Sequence, residues 1–124
     1  LWTVEFFNQL YKNTSQNSMI LTYSNSASIR NAFLENNFYV GKIYNKFENR
    51  FTGTIATKNK NLLDYPLDDY ELGLLKTKAG ICYHDNENLT LSNEEILENR
   101  KIEVENSTLI STTQYKKECK CHTT

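Results

Sequence analysis

The chain predicts an α/β fold on an open sheet, and two observations carry that reading. Between Ser18 and Phe38 an apolar run of buried-strand length, Met19 to Tyr23, ends at the polar cluster Ser24-Asn25-Ser26, which can cap a following helix. A second strand follows at once, giving the order of an open α/β sheet, where ligands sit beyond the carboxyl ends of the strands; the turn from Thr22 to Ser26 is such an end. The second observation is a pair of β-forming runs, Tyr39 to Tyr44 and Phe51 to Thr57, around the loop Asn45 to Arg50. They read as an antiparallel pair. The last strand is expected between the other two, antiparallel to both.

Trp2, Phe6 and Leu10 recur at four-residue spacing with Phe7 beside them, so the first helix is expected from about Trp2 to Lys12. Asn13 to Asn17 breaks it before the first strand. Ile29, Phe33 and Leu34 give the second helix its apolar face, and Asn36-Asn37 supply its carboxyl cap because Asn tolerates the left-handed conformation. Helices from Trp2 and Ala27 are expected to cover the sheet. Beyond the polar link Lys58 to Asn61, Pro66 is placed in a turn, and Leu67 to Leu75 reads as a short helix started by Asp68 or Asp69. Gly80 to Leu91 lacks apolar periodicity and reads as an extended arm. Ser92 and Glu95 form a capping-box pattern that opens a helix to about Glu105, and the tail from Tyr115 is expected to fray.

At 124 residues the chain is long enough for one domain with a real core and too short for two. A net charge of −1 argues against a general nucleic-acid coat or a basic membrane-surface helix, so nucleic acid would need a localised patch. No apolar run reaches bilayer-spanning length. The first residue is Leu1 rather than Met, which reads as a processed or truncated chain. Three cysteines do not make a disulfide framework, and a reducing, cytoplasmic location is the simpler expectation. The triplets at Asn13, Asn88 and Asn106 match the glycosylation acceptor pattern, but so Asn-, Ser- and Thr-rich a chain produces them by chance.

Among groups with chemistry, Cys119-Lys120-Cys121-His122 with Cys82 and His84 offers soft metal ligands, yet the spacing fits no ordinary zinc pair; no metal is expected. Cys82 and His84 lack a third orienting group for a thiol nucleophile. Asp64, Asp68, Asp69 and Glu71 read as a solvated acidic face. With four glycines and no Gly-rich strand-to-helix turn, the chain has no recognisable phosphate loop. Arg30 and Arg50 both fall near predicted strand ends and flank one edge, where they are candidates for phosphate binding.

Leu1-Trp2-Thr3, Leu21-Thr22-Tyr23-Ser24, Ser28-Ile29-Arg30 and Asn37-Phe38 resemble the second half of the MnmC/MnmD-type tRNA methyltransferases. In that family a Trp-Thr helix start leads to an L-A-T-Y-S-like strand, then to a helix with V-R-x-x-L that ends in G-F. Asn37 stands where the family has Gly, and Asn is the next best residue for that conformation. The family's Gly- and basic-rich closing turn keeps Arg50 and loses the Gly. Gly80 to Asp85 resembles the family's G-I-P-Y-R-D-P arm, with Cys82, His84 and Asn86 replacing Pro, Arg and Pro, and Glu94 to Arg100 matches its E-E-I-L-x-x-R helix. The resemblance runs from Leu1 to about Lys117.

It implies the carboxyl-terminal half of a Rossmann-like class I methyltransferase sheet, with a terminal antiparallel strand and a helical arm. Residues 1–58 would complete the methyltransferase domain, 59–117 would be the arm and helix packed on it, and 118–124 a flexible tail. It further implies S-adenosyl-L-methionine as methyl donor to the 5-aminomethyl group of the tRNA wobble uridine, with the anticodon arm as partner and Arg30 and Arg50 as tRNA-binding residues. Some family members carry a fused oxidase domain. The family's catalytic Asp and Gly-rich cofactor loop precede the helix at Trp2, so catalytic and cofactor-binding residues are expected upstream of Leu1, and the chain alone is expected to be inactive. The alternatives are a non-catalytic α/β binding module docking through Gly80 to Arg100, and a methyltransferase with another substrate.

Overall fold

The computed structural model describes residues 2–122, and side chains to residue 119. Helix α1 spans Val4–Asn13, strand β1 Met19–Thr22, helix α2 Ala27–Glu35, strand β2 Tyr39–Asn45 and strand β3 Arg50–Thr57. Thr3 starts α1: its extended backbone stops the helix, and its Oγ1 accepts from the Phe6 amide at 3.1 Å. Trp2, expected within the helix, precedes it and stays half exposed, edge-on to Phe6 at 5.7 Å. Asn37 takes the left-handed conformation at φ 68°, as the cap expectation requires. Beside it, buried Asn36 donates to the carbonyls of Val4 and Ala32 and accepts from Asn8, tying α2 to α1.

The strands form one sheet in the order β1-β3-β2, with both neighbouring pairs antiparallel. A helix between β1 and β2 makes them parallel to each other, and the hairpin strand β3 fills the gap, as the sequence reading expects. The pairing Met19↔Thr57 to Thr22↔Thr54 on one side, and Tyr39↔Thr57 to Asn45↔Arg50 on the other, brings the ends of β1 and β2 to the start of β3. A register shift between Lys42 and Tyr44 twists β2 near its end. The core lies where α1 and α2 meet the sheet: Phe7 stacks on Phe33 at 4.1 Å, and Phe38 meets Phe33 and Tyr11 edge-on at 5.5 and 5.1 Å. Met19 and Leu21 are about half exposed, so the run read as a buried strand has one open side among the described residues.

Pro66 does not sit in a free turn. The segment Tyr65 to Leu67 runs along the edge of β2, with the Lys42 amide donating to the Tyr65 carbonyl at 2.7 Å and the Leu67 amide to that of Val40 at 3.4 Å. Pro66 needs no donor between them. Gly41 faces this segment so closely that a Cβ would lie 2.7 Å from the Tyr65 oxygen. Helix α3, Asp69–Leu74, is opened by a complete capping box of Asp68 and Glu71. The arm follows: the Tyr83 carbonyl accepts from the Val4 amide, and Asn31 donates to the Gly80 carbonyl. Helix α4, Asn93–Asn106, is capped by Ser92 on the Glu95 amide, while Glu95 takes the Ser92 hydroxyl rather than completing a box. Arg100 clasps it to the arm, donating to the Ile81 carbonyl at 2.8 Å and lying over the Tyr83 ring. The stretch from Tyr115, expected to fray, belongs to helix α5, Thr112–His122.

Candidate functional site

The carboxyl ends of β1 and β2 converge on the first half of β3, where Arg30, Lys42 and Glu71 meet and Tyr44, Phe51 and Tyr65 pack together. Arg30 is the first of the two expected phosphate ligands, and it is buried, with 8% of its surface exposed. Its Nε donates to Thr54 Oγ1 at 2.9 Å, and Nη2 donates to Asn25 Oδ1 at 3.1 Å and the Gly53 carbonyl at 3.3 Å. The Thr54 hydroxyl in turn donates to the Ser24 carbonyl at 2.7 Å. Nη1 lies 3.6 Å from Glu71 of α3. Arg30 therefore fastens the β1–α2 turn to β3 and α3, and its donors face protein groups rather than solvent. Burial lowers its pKa, and Glu71 opposes the shift.

Glu71 also corrects the reading of the acidic run as a solvated face. Its carboxylate is 2.8 Å from Lys42 Nζ, and only 16% of the side chain is exposed. Lys42 in turn lies 4.4 Å over the Phe51 ring. Three charged residues from α2, β2 and α3 thus form one cluster, of which the sequence reading identified only Arg30. Lys42 and Glu71 carry no local signal, because no periodicity links side chains 29 residues apart.

Arg50, the second expected ligand, opens β3 and keeps 68% of its side chain exposed, with a half-exposed Glu48 at 3.1 Å. It shares the strand-end edge with Arg30 but lies four residues along β3 from Thr54, so the two guanidinium groups hold different sites. Between β2 and β3 the turn is ordered by its own polar groups: Asn45 Oδ1 accepts from the amides of Phe47 and Glu48 at 2.9 and 3.0 Å, and Asn49 adopts φ 54° beside the Tyr44 hydroxyl. Tyr44, Phe51 and Tyr65 form an aromatic trio, with ring centroids 5.2 to 5.9 Å apart.

Cys82 and His84 do not form a nucleophilic pair. Cys82 is buried against the carbonyls of Ser28 and Gly80, whereas His84 faces Glu5 at 3.1 Å. Burial, with Glu35 and Glu103 nearby, pushes the Cys82 thiol up to about 12, so it stays protonated. Among the described residues no three His, Cys, Asp or Glu side chains gather as a metal site; the side chains of Cys121 and His122 lie outside them. No helix among the described residues is long and apolar enough to cross a membrane.

Residues 1–59, which comprise α1, α2 and the three strands, match the model of a family described as S-adenosyl-L-methionine-dependent methyltransferase. A crystal structure of MNMC2 from Aquifex aeolicus is similar over 84% of this chain, more than the family model covers, at 24% identity and a TM-score of 0.69. The resemblance drawn from the sequence thus meets a methyltransferase family pattern over residues 1–59 and a shared fold with MNMC2. This chain spans 32% of that protein. No curated protein sequence matches it.

The described residues do not by themselves fit S-adenosyl-L-methionine. The β1–α2 turn contains no glycine, its amides at Ser24 and Ser26 already bond Thr22 and Ser24 side chains, and the partly buried acid beside it, Glu71, is held by Arg30 and Lys42.

Proposed function

We propose that this chain is part of a methyltransferase that methylates the 5-aminomethyl group of the tRNA wobble uridine. The family match over the sheet and its two helices carries this reading, and the arm that resembles the family's own beyond that match supports it. S-adenosyl-L-methionine would supply the methyl group, held by parts of the protein outside this chain. The contribution of these residues would be to close the sheet and form the edge that meets the anticodon arm, in the cytoplasm where tRNA is modified. Arg50, exposed and paired only with a solvated carboxylate, is the arginine of that edge able to exchange its partner for phosphate; Arg30 holds the edge in shape.

The test is nucleoside analysis of tRNA from cells lacking the intact protein. We expect loss of 5-methylaminomethyluridine derivatives with accumulation of the 5-aminomethyl forms, restored by the gene. An unchanged tRNA profile, with methyl incorporation into another amine by the purified protein, would replace the substrate and keep the class.

A further inference from the structure

We propose that the β2–β3 turn presents Phe47 as a stacking finger for an unpaired RNA base, with Lys46 and Arg50 beside it for the flanking phosphates; this rests on the tRNA reading above. Phe47 is wholly exposed, at 101% of its reference surface, on a turn that is not loose. Asn45 Oδ1 fixes the amides of Phe47 and Glu48, and the Asn49 side chain meets the Tyr44 hydroxyl, so the turn holds the ring out in water. An aromatic held out in solvent on an ordered turn forgoes the burial that would stabilise the fold, and no described residue covers it.

The surroundings select the partner. Lys46 makes no ion pair among the described residues, and the solvated pair of Arg50 with Glu48 is weak enough to exchange. Just behind the turn, Phe51 and Tyr65 are about two-fifths exposed beside Tyr44, with Lys42 over Phe51. Aromatic faces interleaved with cations are what unpaired nucleotides bind, because every base has a π-face and every linkage a charge. A duplex offers no free base to such a finger, whereas the unpaired anticodon loop does.

The experiment measures affinity of the intact protein for an anticodon stem-loop and for a blunt two-stranded RNA duplex of equal nucleotide count, with Phe47→Ala, Phe47→Leu, Phe47→Trp and Arg50→Ala. Because the ring is wholly exposed among the described residues, Phe47 variants are expected to fold as the parent does, checked by thermal melting. Stacking predicts that Phe47→Ala and Phe47→Leu weaken stem-loop binding by roughly five- to a hundredfold, that Phe47→Trp retains it with fluorescence quenched by the RNA, and that none alters binding to the blunt duplex. Stem-loop binding unchanged in Phe47→Ala but weakened in Arg50→Ala would overturn the finger and leave the tRNA reading intact. Absence of stem-loop binding by the parent protein would remove both. Should Phe47→Ala change self-association and not RNA affinity, the ring is a contact between copies and the proposal fails.

Discussion

Arg30 shows how much one residue's surroundings decide. Truncating it would leave Gly53, Asn25 and Thr54 without their donor and Glu71 with Lys42 alone, so Arg30→Ala is expected to destabilise the protein by about 3 kcal/mol in urea unfolding at constant m. Arg30→Lys would not restore it, because one ammonium cannot reproduce a fork that meets several acceptors in different directions. An Arg30→Ala protein of parental stability that has lost RNA affinity would instead return Arg30 to the phosphate role expected from the sequence. Cys82 supplies the pH dependence. Its thiol is raised from 9.0 to about 12 in the folded state, so the folded chain keeps a proton that the unfolded chain releases. That contribution is complete below pH 9.0 and lost as pH rises toward 12, at up to about 1.4 kcal/mol per unit. Denaturation midpoints of the parent should fall over that range more steeply than those of Cys82→Ala. In the native protein at pH 8 Cys82 should resist alkylation, and react on unfolding.

At the scale of elements, close approaches and caps decide which changes the fold tolerates. Asn37→Ala would force an ordinary side chain into the left-handed region at the end of α2, and a loss of about 1 kcal/mol is expected, with Asn37→Gly near neutral. Gly41→Ala would push a methyl group toward the Tyr65 carbonyl, displacing the segment that covers the edge of β2. Hydrogen exchange at the Lys42 amide, which donates to Tyr65, should then accelerate, while amides paired between β1 and β3 keep their protection. Helix α3 is short; its capping box starts it, Glu71 ties it to α2 and β2 by charge, and the buried Leu67 and Leu75 anchor its two flanks in the core. That is why an acidic run that looks solvated in sequence contains one carboxylate drawn inward.

For the whole molecule, the edge formed by the strand ends is where binding should be read. Arg50→Ala in the intact protein is expected to weaken tRNA binding and reduce the salt slope by about 1, without altering cofactor affinity. A variant with unchanged affinity and slope but lower stability would make Arg50 structural. This chain alone is expected to show no binding of S-adenosyl-L-methionine in calorimetric titration, since its turn after β1 has no free cradle; micromolar binding would place the cofactor site within it. The sequence alone determined the first two helices, the three strands and the sheet order, because Phe7, Phe33 and Phe38 mark apolar faces by local spacing, and a hairpin following a strand–helix–strand unit has few ways to close. The left-handed cap at Asn37 was equally legible, being a property of one residue's backbone. Only the tertiary structure decided that Arg30 is buried while Arg50 is solvent-exposed, that Glu71 and Lys42 join Arg30, and that Phe47 stands clear of the described residues. Whether a charge or a ring is spent inside the fold or left for a partner depends on what lies across from it in space, and neighbours in space here come from dozens of residues away along the chain.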